Sequence, residues 1–92
     1  MAERPPWTFI TSHGTVLLEV ARTPHATVRE IAERAGLTER QAHRVLSDLA
    51  GEAYLVRERV GRRNHYRMNP ERPLRHPSFS AHQIGELLSA LE

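Results

Sequence analysis

Between residues 27 and 41 the chain specifies a helix start twice. Thr27 with Glu30, and Thr38 with Gln41, have the spacing at which a hydroxyl caps the third amide of a helix while the third side chain reaches back to the cap. Gly36 stands between them, a residue suited to the left-handed conformation in which helices commonly end. Two starts and one stop in so short a span leave room only for two short helices meeting at an angle. Val28, Ile31, Ala32 and Ala35 give the first an apolar face over about residues 28–35. Ala42, Val45, Leu46 and Leu49 do the same for the second, which runs from Thr38 to about Glu52. The pattern is that of a helix-turn-helix.

The flanks supply the rest of a small core. Residues 1–11 read as an irregular arm with two successive prolines, tied down by Trp7, Phe9 and Ile10. A helix over Ser12–Arg22 follows on the spacing of Val16, Leu17, Val20 and Ala21, and Pro24 ends it. Downstream, YLVRERV and NHYRM alternate apolar and polar residues around Gly61, Arg62 and Arg63, which predicts a β-hairpin with Tyr54 and Tyr66 packed at its base. Residues 70–79 form a proline-rich connector. Ser80 and Gln83 have capping-box spacing, predicting a last helix over 80–92 with Ile84, Leu87, Leu88 and Leu91 in one stripe.

With 92 residues, 39% of them apolar, the chain suits a single domain with one core. A domain of this size is marginally stable alone, and dimerisation is an ordinary remedy. The absence of cysteine excludes disulfides, thiolate metal sites and thiol redox sensing. No stretch approaches the roughly 18 consecutive apolar residues of a membrane span, and no secretory leader is evident, so a cytoplasmic protein without a membrane partner is expected.

The formal charge of +2 says little, but its distribution says more. All 13 basic residues are Arg, and residues 57–67 hold five of them against one acid. Projected at about 100° per residue, the third helix turns Arg40, Arg44 and Ser47 away from its apolar face, with Gln41 and His43 on the flanks. An α-helix fits the major groove of B-DNA, where Arg can bond both acceptors of guanine and Gln both groups of adenine. The competing reading is a solvated face held by an Arg44–Asp48 pair at i, i+4. For the hairpin, Arg57, Arg59, Arg62, Arg63 and Arg67 could neutralise phosphates, with hydrogen bonds from Asn64 and His65. A solvated edge hairpin also carries Arg, to discourage sheet pairing.

The run from Thr27 to Pro70, TVREIAERAGLTERQAHRVLSDLAGEAYLVRERVGRRNHYRMNP, resembles the DNA-binding core of small bacterial regulators of the ArsR/MarR type, the likeness covering about residues 12–69. It rests on the Ala32 and Gly36 spacing, on Ile31, Leu37, Ala42 and Val45, and on the exit into GEAYLVRERVGRRNHYR. The resemblance implies a mainly α fold with a small β-hairpin wing, a winged helix-turn-helix that dimerises through its terminal helices. It further implies that Thr38, Arg40, Gln41, His43, Arg44 and Ser47 read double-stranded DNA, and that Arg62, Arg63 and Asn64 are wing contacts. Trp7, Phe9, Ile84, Leu87, Leu88 and Leu91 would then form the interface of a homodimer on a pseudo-palindromic operator, with repression by promoter occlusion as the simplest outcome. The alternative for the last helix is packing back on the chain's own first helix.

Other classes fit less well. A protein-interaction module would present an apolar or acidic face on the third helix, and an architectural DNA binder would use only backbone contacts. His82 and Glu86 at i, i+4, with His76 nearby, are a metal candidate without a tight ligand cluster, so no metal or other cofactor is expected. Trp7 and Phe9 could line a ligand pocket but suit an anchoring role better. No nucleophile–His–acid constellation or phosphate loop is evident, and no catalysis is expected.

Overall fold

Each helix begins where a side chain can satisfy its open amides. In the computed structural model, which describes residues 5–92, Thr11 caps α1 (Ser12–Arg22), Thr27 caps α2 (Val28–Ala35) and Thr38 caps α3 (Glu39–Gly51). The last two are complete capping boxes with Glu30 and Gln41, each cap contributing about 1 kcal/mol. Between them Gly36 adopts φ 71°, ψ 32°, and the Leu37 amide donates to the Ala32 carbonyl at 2.9 Å. This left-handed residue sets the angle between α2 and α3, and a side chain there would be strained. Residues 1–4 of the N-terminal arm lie outside the described part.

Beyond α3 the chain turns through Ala53, a non-glycine residue at φ 63°, with the Tyr54 amide donating to the Leu49 carbonyl. Strands β1 (Leu55–Val60) and β2 (Arg63–Met68) then pair antiparallel in register from Leu55↔Met68 to Val60↔Arg63. The turn is Gly61–Arg62, and Arg63, expected in it, already belongs to β2. Tyr54 and Tyr66 are buried, as expected, and anchor the hairpin base. Asn69 holds the same joint, its amide donating to the Tyr54 carbonyl and its side chain to the Ala53 carbonyl.

The last segment differs from the sequence expectation. Ser80 closes a short 3-10 turn, Pro77–Phe79, and the capping box belongs to Gln83 and Glu86, so α4 spans Ile84–Leu91. Backbone pairing explains the shift. The Leu74 amide donates to the His82 carbonyl at 2.9 Å and the Ile84 amide to the Arg72 carbonyl at 2.8 Å, which keeps 82–83 extended. The close approach continues at Gly85, where a Cβ would lie 2.7 Å from a Pro70 side-chain carbon and 2.9 Å from its carbonyl oxygen.

One core joins α1, α2, α3, the hairpin base and α4. Val16, Leu17, Ile31, Leu46 and Leu55 are almost fully enclosed, and so are Ile84 and Leu88 of the last helix. Helix α4 lies along α1: Ile84 and Leu87 share a groove with Gly14 and Leu17, and Arg22 donates to the Leu91 carbonyl at 3.0 Å. Two of the four stripe residues expected at a dimer interface, Ile84 and Leu88, are therefore occupied within the chain. Leu87 is half-buried and Leu91 exposed.

Candidate nucleic-acid interface

Helix α3 is divided between two roles. Ala42, Val45, Leu46 and Leu49 are buried, fixing its rotation, and this leaves Arg40, Gln41, His43, Arg44 and Ser47 exposed. Arg40 and Arg44 make no ion pair or hydrogen bond with the other described residues. The Arg44–Asp48 pair of the competing solvated-face reading does not form; Asp48 bonds His13 of α1 at 2.9 Å instead. That bond ties α3 to α1 and leaves the Arg44 guanidinium available.

Thr38 and Gln41 are less available than their positions suggested. The Thr38 hydroxyl accepts from the Gln41 amide at 3.1 Å, and the Gln41 side-chain oxygen accepts from the Thr38 amide at 2.9 Å. Two-point recognition of adenine needs both ends of the glutamine amide. With one bond already accepted at its oxygen in the cap, Gln41 has its NH2 group as the less engaged end while the box is intact.

The hairpin's cations fall on two faces. Directly paired residues share a face, so Arg57 and Arg59 lie with Tyr66 and Asn64, while Arg67 and Arg63 lie with Val56, Glu58, Val60 and His65. Several have local duties. Arg57 stacks over the Tyr66 ring at 5.6 Å, Arg67 pairs with Glu58 at 3.1 Å, and Arg59 donates to the Gly61 carbonyl at 3.4 Å. Arg62 and Asn64, both exposed at the tip, have no such partner among the described residues. The base of the hairpin is thus braced, and its unengaged cations gather toward the tip.

His65 does not stand alone on the wing. It is half-buried and meets His25, from the α1–α2 loop, edge to face with ring centroids 4.7 Å apart. The start of α2 is close to the wing as well. The Glu30 carboxyl is held below its ordinary value, first by the Thr27 amide and hydroxyl, and further by the charges of Arg34 and Arg63. His25 carries no sequence signal for such a position, since only the tertiary fold brings it to β2.

The remaining candidates separate as follows. Trp7 and Phe9 do not anchor the arm in the chain's own core. They stack on each other at 5.1 Å and are 67% and 89% exposed. Phe9, without Trp7, helps line an apolar groove of about 370 Å³ with Ile10, Leu17, Leu74, Ile84 and Leu87. His82 bonds Glu86 at 2.9 Å, while His76 accepts from the Ser78 amide. Among the described residues no three metal-ligating side chains converge, and no helix is long and apolar enough to cross a membrane.

An exposed Arg row, unpaired among the described residues, on a helix fixed by its buried face and beside an Arg-tipped hairpin, can meet a polyanion whose grooves accept a helix. Comparison with known proteins agrees with this geometry. The sequence model of the MarR family matches residues 8–63, from the N-terminal arm to the start of β2. No curated protein matches the chain.

Proposed function

The chain belongs to the MarR family of winged-helix transcription regulators, which bind double-stranded DNA, and on that premise we propose that it is a sequence-specific repressor. In this reading α3 enters the major groove, and the wing follows the backbone or the adjacent minor groove. The carrying observation is the outward face of α3, where Arg40 and Arg44 lie one turn apart without partners among the described residues. His43 and Ser47 extend the same face, and Thr38 and Gln41 hold its leading end in shape while adding single contacts. Arg62, Arg63 and Asn64 serve the wing. Arg57, Arg59 and Arg67 reach phosphates only by leaving or sharing their present partners.

Two copies acting together complete the proposal. Trp7, Phe9 and Leu91 stay exposed, and Phe79, which lines the apolar groove with Phe9, is 55% exposed. A second copy covering them would remove costly apolar surface from water. Two-fold symmetry then makes the operator an inverted repeat with half-sites about one helical turn apart. Repression by blocking a promoter needs nothing beyond this binding.

Selection of bound sequences from a randomised duplex library at near-physiological salt tests the reading. An inverted repeat is the expected product. Binding without enrichment would reassign the chain to sequence-independent coating of DNA, and no binding would refute the proposal. The oligomeric state has its own reporter, because Trp7 is the single tryptophan. Its emission should shift to the blue as protein concentration rises, and a concentration-independent spectrum together with a monomeric mass would refute pairing through the arm.

A further inference from the structure

His25 and His65 are far apart in sequence, yet they meet where β2 passes the α1–α2 loop. Most other histidines here have partners: His13 has Asp48, His82 has Glu86, and His76 accepts from an amide. Neither ring of the His25–His65 pair hydrogen-bonds another described residue. Their ring N–H groups remain unspent beside an open cavity of about 380 Å³.

The charges around the pair are largely committed. On β1, Glu58 lies directly across from His65 but is held by Arg67. On α2, Glu30 is bonded by the Thr27 amide and hydroxyl at 3.2 and 3.0 Å. Glu92 lines the cavity without a bond to either ring, and α1 contributes Val20 and Ala21. Arg63, two residues before His65 on the same face of β2, adds a positive charge on the wing side. The site therefore offers imidazole donors and a nearby guanidinium to an acceptor from outside. A phosphodiester, with one negative charge and two free oxygens, matches that set.

We propose that the His25–His65 pair contacts a backbone phosphate of the bound duplex and takes up a proton as the duplex binds. The inference rests on the wing being a DNA-binding element. Imidazole is the side chain whose charge ordinarily changes near neutral pH. A phosphate at the pair favours the charged form, and the edge-to-face geometry accommodates one imidazolium against the face of a neutral ring. A second proton is opposed by the first and by Arg63. Each bound chain gains about one proton, and DNA affinity rises as pH falls.

Backbone contacts do not depend on sequence, so a short fluorescent duplex of random sequence is an adequate probe. Its affinity is measured from about pH 5.5 to 8 at two or more salt concentrations. In the unaltered protein, affinity should rise up to about tenfold per pH unit of acidification. The slope of log affinity against log salt should steepen by about 0.9 at the acid end, as expected for one added phosphate contact. His25→Asn and His65→Asn should each remove both effects, and His43→Asn on α3 should keep them. His25 is exposed, so its variant tests the idea even if the His65 variant fails to fold. Affinity independent of pH, or rising with pH, would overturn the proposal while leaving DNA binding intact. So would loss of the pH effect in His43→Asn alone. Absence of any duplex binding, even at low salt, would overturn this inference and the DNA-binding reading together.

Discussion

Truncating Leu88 to Ala separates the two roles available to α4. Leu88 is 1% exposed and belongs to the core that includes Leu17 and Leu49. Burial of this kind makes Leu→Ala cost about 2–5 kcal/mol, the sum of lost transfer energy and the cavity left behind. Helix α4 is short and lies at the margin of the core, so neighbours can partly close the gap, and about 2–3 kcal/mol is expected. For a chain of this length that is a large share of the total stability of roughly 5–14 kcal/mol. It corresponds to a fall in Tm of about 8–24 °C at about 4–8 °C per kcal/mol. Denaturant and thermal unfolding, followed by circular dichroism at two widely separated protein concentrations, should show the same loss at both. If Leu88 instead served mainly at a subunit interface, truncation would dissociate a dimer while barely changing the stability of the monomer. A loss below about 1 kcal/mol with such dissociation would refute the packing argument.

Four further expectations follow from the site and its scaffold. Arg40→Ala and Arg44→Ala should each cost about 1–3 kcal/mol on the selected operator and relax base preference at one position, measured by competition binding; equal losses on every sequence would make them phosphate contacts. Arg62→Ala should weaken binding to all duplexes and reduce the salt slope by about one unit, and an unchanged slope would place the wing tip outside the interface. Ala53→Gly should stabilise the fold by about 0.5–1 kcal/mol in urea titration, because glycine adopts the left-handed backbone without the Cβ penalty; a loss would show that Ala53 is not strained. Because the folded-state value of Glu30 is depressed below 4.5, its stabilisation is present above that pH and lost as acidification passes through the depressed value. The stability difference between the unaltered protein and Glu30→Gln should shrink across that acid range, and a constant difference would contradict the linkage.

The parts legible in the sequence were those fixed by local chemistry. Thr27, Glu30, Thr38 and Gln41 set the starts of α2 and α3 through bonds closed within one turn, and the observed boundaries follow them. The exposed face of α3 was equally legible, since periodicity assigns its buried side. The same reasoning failed where distant backbone competed. Ser80 has the capping spacing, but pairing of residues 72–74 with 82–84 delays the helix to Gln83. The spacing of Ile84 and Leu88 marked an apolar face without indicating what would cover it. Asp48 chose His13 rather than Arg44, and His65 met His25, through contacts that exist only once α1 and the hairpin have packed.

The backbone bonds that hold the connector against the start of α4 have a consequence for how any paired assembly would measure DNA. Leu74 and Ile84 are bonded to His82 and Arg72, and Pro70 closes on Gly85 without room for a side chain. The C-terminal helix is thus mounted on the body of the domain rather than hung from a tether. Two chains joined through this end would act as callipers of fixed gape. Adding or deleting a single base pair between half-sites would then rotate one domain away from its groove, and the bonded mount would resist turning it back.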